Sequence, residues 1–219
     1  MDDLLRRFLE GLPPGIPLYD SHGHLGRAAR DYPIFGAGTD AMVREMDRLG
    51  IVQAIVMTNC VSGVESSYQN ELLAAECRKY PDRLVGFALV NLNQEFREIA
   101  EELDRSLAAG LKGIKLIAFY QNYPSDGPRV EQVCAYAHEN RLTILNHGWH
   151  SPQFLDAMAK RYPRATFIQG HYPCATWAGA VNDNENVWFS TTNYFPWGSV
   201  EEMVRLCRND RIVWGSDLS

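Results

Sequence analysis

Apolar residues in this chain fall into two kinds of segment that alternate from end to end. Short runs rich in aliphatic and β-branched side chains have the length of strands and are bounded by turn residues. They are Ile16 to Tyr19, Ile51 to Met57, Leu84 to Val90, Gly113 to Ala118, Leu142 to Asn146, Thr166 to Gln169, Val187 to Thr191 and Ile212 to Trp214. Longer segments with helical spacing lie between them. Asp40 to Leu49 puts Met42, Met46 and Leu49 on one face, with Gly50 suited to the C-terminal cap. Gln69 to Tyr80 is stopped by Pro81, Gln94 to Ala109 is ended by Gly110, and Pro128 to Asn140 reads as a helix. Ser151-Pro152 supplies an N-cap and a first-turn proline for a helix to Tyr162. A weaker helix spans Ala175 to Val181, and Ser199-Val200-Glu201-Glu202 is a capping box opening a helix to Arg208. At the start, Met1 to Gly15 places Leu4, Leu5, Phe8, Leu9 and Leu12 on one face among Asp and Arg. That is an amphipathic helix, not the unbroken apolar core of a secretory signal.

Strands and helices that alternate every ~20 to 35 residues are the signature of βα units. Eight strands, seven of them followed by helices, predict an α/β fold of the (β/α)8 TIM-barrel type. An open doubly wound sheet is disfavoured because no Gly-rich phosphate turn follows the first strand. No helical pattern follows the eighth strand, so the barrel is expected without its final helix. The N-terminal helix or a partner copy in a homodimer would then cover that strand. A length of 219 residues with 46% hydrophobic content supports one domain over residues 1–219. A net charge of -6 without clustered Lys and Arg argues against nucleic acid as a partner, and no run has membrane-spanning length; a small molecule is the expected partner. Five scattered cysteines without a Cys-x-x-Cys pair argue against a disulfide framework or zinc ribbon and predict a reduced, cytoplasmic protein.

The candidate chemistry sits at strand ends. The first strand runs into Asp20-Ser21-His22-Gly23-His24, and extended backbone sends both imidazoles of His-x-His to one side, where they can share a cation. The fifth strand ends at His147, the sixth at His171 and the eighth at Asp217. Active sites of TIM barrels gather at the C-terminal ends of the strands, which unites groups nearly 200 positions apart. Taken singly, each group has an ordinary reading. His22 and His24 can be capping histidines, His171 can satisfy backbone groups, and Asp217 can be a turn residue. Lys115 has the parity of Gly113 and Ile117 and is expected inside the barrel, where a buried ammonium needs an anion or loses its charge. It is read either as a structural lysine near Asp20 or Asp217, or as a carboxylated lysine bridging two metals. Asp20 is read as a support for a ligand histidine, not as a ligand. Substrate residues are expected in the βα loops: Arg27, Arg30 and Tyr32, the segment from Phe119 to Tyr123 with Tyr120, and Trp149-His150. These would line a pocket for a small aromatic or carboxylate-bearing molecule, with solvated arginines and packed aromatics as the alternative.

In this order the motifs resemble the amidohydrolase superfamily, specifically its amidohydrolase-2 branch of metal-dependent TIM-barrel hydrolases and decarboxylases. The resemblance spans the chain. Asp20 to His24 is similar to the strand-one signature, Lys112 to Leu116 to the strand-four segment, and Asn146-His147-Gly148 to the strand-five histidine. Gly170-His171 and Trp214-Gly215-Ser216-Asp217 are similar to the strand-six and strand-eight signatures. The resemblance implies that His22, His24, His147 and Asp217 hold one divalent cation, Zn²⁺ foremost and Mn²⁺ as the alternative, with a position left for water. It implies that His171 orients or deprotonates that water, and that Asp217 can shuttle a proton. The branch is mostly mononuclear, which favours the structural reading of Lys115. The implied reaction is hydrolysis of an amide, ester or lactone of a small organic substrate. The alternatives are non-oxidative decarboxylation of a small aromatic or unsaturated acid and, in a different class, a catalytically silent barrel acting as a binding or scaffold protein.

Overall fold

The computed structural model describes residues 3–26, 38–59, 65–171, 175–192 and 199–218. Eight parallel strands are hydrogen-bonded in sequence order: β1 Leu18–Leu25, β2 Ile51–Thr58, β3 Leu84–Leu89, β4 Gly113–Leu116, β5 Thr143–Asn146, β6 Thr166–Gln169, β7 Val187–Ser190 and β8 Ile212–Val213. The segment after β8 returns to β1. The Ser21 N–H donates to the Trp214 carbonyl at 2.9 Å, the Asp217 N–H to the His22 carbonyl at 2.8 Å, and the His24 N–H to the Leu218 carbonyl at 2.7 Å. These bonds close the sheet into a (β/α)8 TIM barrel.

The described helices are α1 Asp3–Leu9, α2 Thr39–Leu49, α3 Ser66–Lys79, α4 Phe96–Ala108, α5 Ala118–Gln121, α6 Pro128–Asn140, α7 Pro152–Arg161, α8 Ala178–Asp183 and α9 Ser199–Leu206. Strand alternation divides the apolar side chains between two layers. Met57, Phe87, Leu145 and Ile168 fill the lumen. Ile114, Ile144, Phe167 and Phe189 face outward and pack under Ile99, Val133, Leu155 and Val181 of the helices. Gly113 serves the lumen by having no side chain, since a Cβ there would lie 2.5 Å from the Phe87 ring.

Two caps fall where the sequence places them. Gly50 closes α2 in the left-handed conformation (φ 75°), and the Ser151 hydroxyl accepts from the Phe154 N–H at 3.1 Å ahead of Pro152. Other elements differ from expectation. β1 does not stop at Tyr19 but runs through the His-x-His motif, with register shifts between Leu18 and Tyr19 and between Asp20 and Gly23. The segment expected as the end of a strand and a loop contains the short helix α5. The amphipathic N-terminal helix is shorter than expected, because Gly11 adopts φ 68° and Pro13-Pro14 follows, and neither continues a helix. Its Leu4, Leu5 and Leu9 are 47%, 50% and 67% exposed, so α1 leaves much of its apolar face open, and Trp214, just past β8, is 38% exposed. Among the described residues no helix is long and apolar enough to cross a membrane.

Candidate metal centre

β1 supplies two imidazoles. His24 pairs with Met57, a lumen residue, and so faces the mouth of the lumen. Its Nδ1 lies 3.4 Å from the Thr58 carbonyl, the kind of contact that orients a ligand histidine. Its Nε2 faces Asp217 Oδ1 at 3.2 Å, and His22 Nε2 lies 3.7 Å from the same oxygen. One atom from each of His22, His24 and Asp217 falls within 4.8 Å of the others. Two nitrogens and a carboxylate oxygen form a donor set that suits Zn²⁺ and related divalent ions. His22 Nδ1 is buried without a hydrogen-bond partner, which leaves this imidazole poorly served by protein contacts alone.

The electrostatics keep the ligands in their binding forms. Burial, followed by the nearby Lys115 ammonium, holds His22 well below the usual imidazole range. Burial, followed by His171 and Lys115, pushes His147 down to about 2. Both rings are therefore neutral at physiological pH, as ligation requires. Burial alone would raise Asp217, but the hydrogen bond from His24 and the neighbouring positive groups outweigh it, so its carboxyl is held below the ordinary value.

Lys115 is 1% exposed and lies inside the barrel. Of the two carboxylates expected near it, Asp217 is the one that acts on it, while its hydrogen-bond contact is with an imidazole: Nζ sits 3.0 Å from His22 Nε2, and burial pushes the amine down to about 7 against the opposing pull of Asp217. Asp20 is engaged elsewhere. It accepts the N–H groups of His22 and Ser216, each at 3.0 Å, and the Ser216 hydroxyl.

His147 lies outside the group formed by His22, His24 and Asp217, with its ring centroid 4.0 Å from that of His171. His171 is 2% exposed and meets His22 edge-on at 4.8 Å. Gln169, which the sequence reading passed over, joins these strand ends. Its Oε1 accepts from the Trp149 N–H at 3.1 Å, and its Nε2 donates to the His171 carbonyl at 2.5 Å. A polar residue closing an apolar strand immediately before Gly-His was the available signal. Gly170 is equally constrained, since a Cβ there would meet the Asn146 carbonyl oxygen at 2.6 Å.

The expected substrate residues divide. Tyr120 is half-buried and meets His147 edge-on at 5.7 Å. Trp149 is buried, donates from Nε1 to the Ile168 carbonyl at 3.2 Å and packs on Phe167. It nonetheless borders a cavity of about 480 Å³ together with Phe119, Tyr123, His147, Gln169 and Trp177. Arg27, Arg30 and Tyr32 lie outside the described residues.

A family model described as amidohydrolase matches residues 19–218. No curated protein matches the chain by sequence. Solved structures match along most of its length. The probable 2-pyrone-4,6-dicarboxylic acid hydrolase from Acinetobacter baumannii, with citric acid bound, is 17% identical at a TM-score of 0.66, covering 91% of this chain and 83% of its own. The dihydroxybenzoic acid decarboxylase from Polaromonas sp. JS666, with manganese and 2-nitroresorcinol bound, is 16% identical at 0.69, covering 92% and 86%. The 4-oxalomesaconate hydratase from Rhodopseudomonas palustris is 15% identical at 0.66, covering 91% and 81%. At these identities the likeness is one of fold.

Proposed function

Because this chain belongs to the amidohydrolase family, we propose that it is a metal-dependent hydrolase acting on an amide, ester or lactone of a small organic substrate. The observation that carries the reading is the convergence of His22 Nε2 and His24 Nε2 on Asp217 Oδ1, at 3.7 and 3.2 Å, in a group whose donor atoms all lie within 4.8 Å of one another. His22, His24 and Asp217 would hold one divalent cation, Zn²⁺ or Mn²⁺, with His147 as the candidate fourth ligand. The cation supplies charge that acidifies water and polarises a carbonyl. His171, buried beside His22 and His147, takes a proton from the attacking water and returns it to the leaving oxygen or nitrogen. Gln169 holds the His171 backbone in place while this happens. Asp217 keeps its carboxylate ionised and aligned with both β1 imidazoles.

Non-oxidative decarboxylation is the second reading, favoured by one feature. The cavity beside His147 is walled by Tyr123, Trp149 and Trp177, surfaces on which a planar ring packs. In that chemistry His171 delivers a proton to the ring carbon that loses CO2. The test is elemental mass spectrometry on chain purified without chelator, followed by turnover of lactone, ester and aromatic-acid panels with CO2 release monitored. About one metal per chain, lost in His24→Ala and Asp217→Asn, is expected. A wild-type chain that binds neither zinc nor manganese overturns the reading, and CO2 release without hydrolysis replaces it with the second one.

A further inference from the structure

Asp217 is one of three non-glycine residues with positive φ among those described, at 60°. That conformation is unfavourable for an L-residue, though aspartate tolerates it better than most, and it relaxes once the flanking peptides are released. The flanking peptides are held on both sides. On the N-terminal side, the Ser216 N–H and hydroxyl both donate to the Asp20 carboxylate, the former at 3.0 Å. On the C-terminal side, the Leu218 N–H donates to Ser216 Oγ at 2.9 Å, and the Leu218 carbonyl accepts from the His24 N–H at 2.7 Å. The Asp217 N–H goes to the His22 carbonyl at 2.8 Å. Ser216, Asp217 and Leu218 are thus each tied to β1, at Asp20, His22 and His24 respectively.

We propose that Asp20 and Ser216 are positioning residues that clamp Asp217 in its ligand conformation across the β8–β1 seam. The inference rests on Asp217 being a metal ligand, as the proposed function has it. Asp20 is 2% exposed and shares its two oxygens among three donors, one from β1 and two from the β8 extension. The same carboxylate that receives the His22 N–H therefore fixes the residue preceding Asp217, so one side chain sets the spacing between a β1 ligand and the β8 ligand. The Ser216 hydroxyl is donor to Asp20 and acceptor from Leu218 at once, a double role that serine or threonine can fill and alanine cannot.

Ser216→Ala and Ser216→Thr test this, with Asp20→Asn as a second route to the same break. Hydrogen exchange at the Asp217 and Leu218 amides is measured on metal-free protein, cobalt affinity by competition with a chromophoric chelator, and global melting alongside. In Ser216→Ala we expect both amides to exchange at least about tenfold faster and cobalt to bind about 10–100-fold more weakly, with the cobalt absorption band altered and the melting point displaced by only a few degrees. Ser216→Thr restores exchange, affinity and band. Unchanged exchange and affinity in Ser216→Ala overturn the clamp, as does equal weakening in Ser216→Thr, which would trace the effect to side-chain volume. If the wild-type chain binds no cobalt, the metal reading itself fails, while the metal-free exchange comparison still decides the clamp.

Discussion

β2 and β3 pair only where Ala54 to Val56 meets Leu84 to Gly86. Beyond that point a side chain does the work of a strand. Asn70, on α3 and 1% exposed, donates to the Leu89 carbonyl at 2.8 Å and accepts the Leu89 N–H at 2.9 Å, closing both backbone groups of the last β3 residue. Its amide also donates to Glu102 Oε1 on α4 at 2.7 Å. Asn70→Ala leaves a buried N–H and a buried C=O unpaired, at about 1–3 kcal/mol each, and removes a bond to a charged acceptor worth about 1.5–3 kcal/mol. Allowing for partial relaxation, the expected loss is about 4–6 kcal/mol, a large part of the ~5–15 kcal/mol available to a domain. At about 2–4 °C per kcal/mol for a chain of this size, melting falls by about 10–20 °C. Urea denaturation followed by circular dichroism, with the slope compared between variant and wild type, reads the quantity directly. A loss below about 1.5 kcal/mol at unchanged slope would refute the reasoning, since it would mean that Leu89 finds other partners at no cost.

Glu102 extends the same network. Burial pushes its carboxyl up, but bonds from Asn70, Ser67, Arg105 and Ser106 outweigh this and hold it below its ordinary 4.5. A lowered folded pKa gives stability that is present above the unfolded value and lost as pH falls through the folded one. The stability gap between wild type and Glu102→Gln should therefore be widest near neutrality and narrow as pH drops below about 4.5; a gap that stays constant in denaturation series at pH 7, 5 and 4 would sink the assignment. Gly215→Ala puts a Cβ 2.0 Å from Thr192 Oγ1, 2.6 Å from Ser190 Oγ and 3.0 Å from His22 Cβ. It should cost about 1–3 kcal/mol and weaken metal binding by displacing His22; wild-type melting and cobalt affinity in this variant would count against it.

The barrel was legible because each strand must serve two apolar layers and each helix one, which stamps a period on the sequence. The motif residues were legible because strand ends carry them and the fold gathers strand ends. What escaped were side chains whose partners are backbone groups on other elements. Asn70 looks like a surface position of a helix, and Gln169 looks like the polar end of a strand, since nothing local announces the Leu89, Trp149 or His171 peptides they serve. Lys115 was correctly placed inside by parity, but its contact with His22 depends on how two strands face each other across the lumen. The α5 turn was missed because Phe119 to Tyr123 was read as loop, and a single helical turn is too short to show an apolar period. The N-terminal helix was overextended because apolar spacing was given more weight than the breakers at Gly11 and Pro13-Pro14.

The register shift in β1 has a bearing on how this segment could be moved or altered. Asp20 pairs with Ala54 and Gly23 with Val56, so three steps on one strand match two on its neighbour. In an unbroken strand, Asp20, His22 and His24 would all aim the same way. The extra residue acts as a change of phase, setting the Asp20 carboxylate against Ser216 and the two imidazoles against Asp217 from a stretch only five residues long. Deleting or inserting one residue there would swap the addressees of these groups without shortening any loop, and a graft of the segment onto a regular strand would deliver the right letters to the wrong doors.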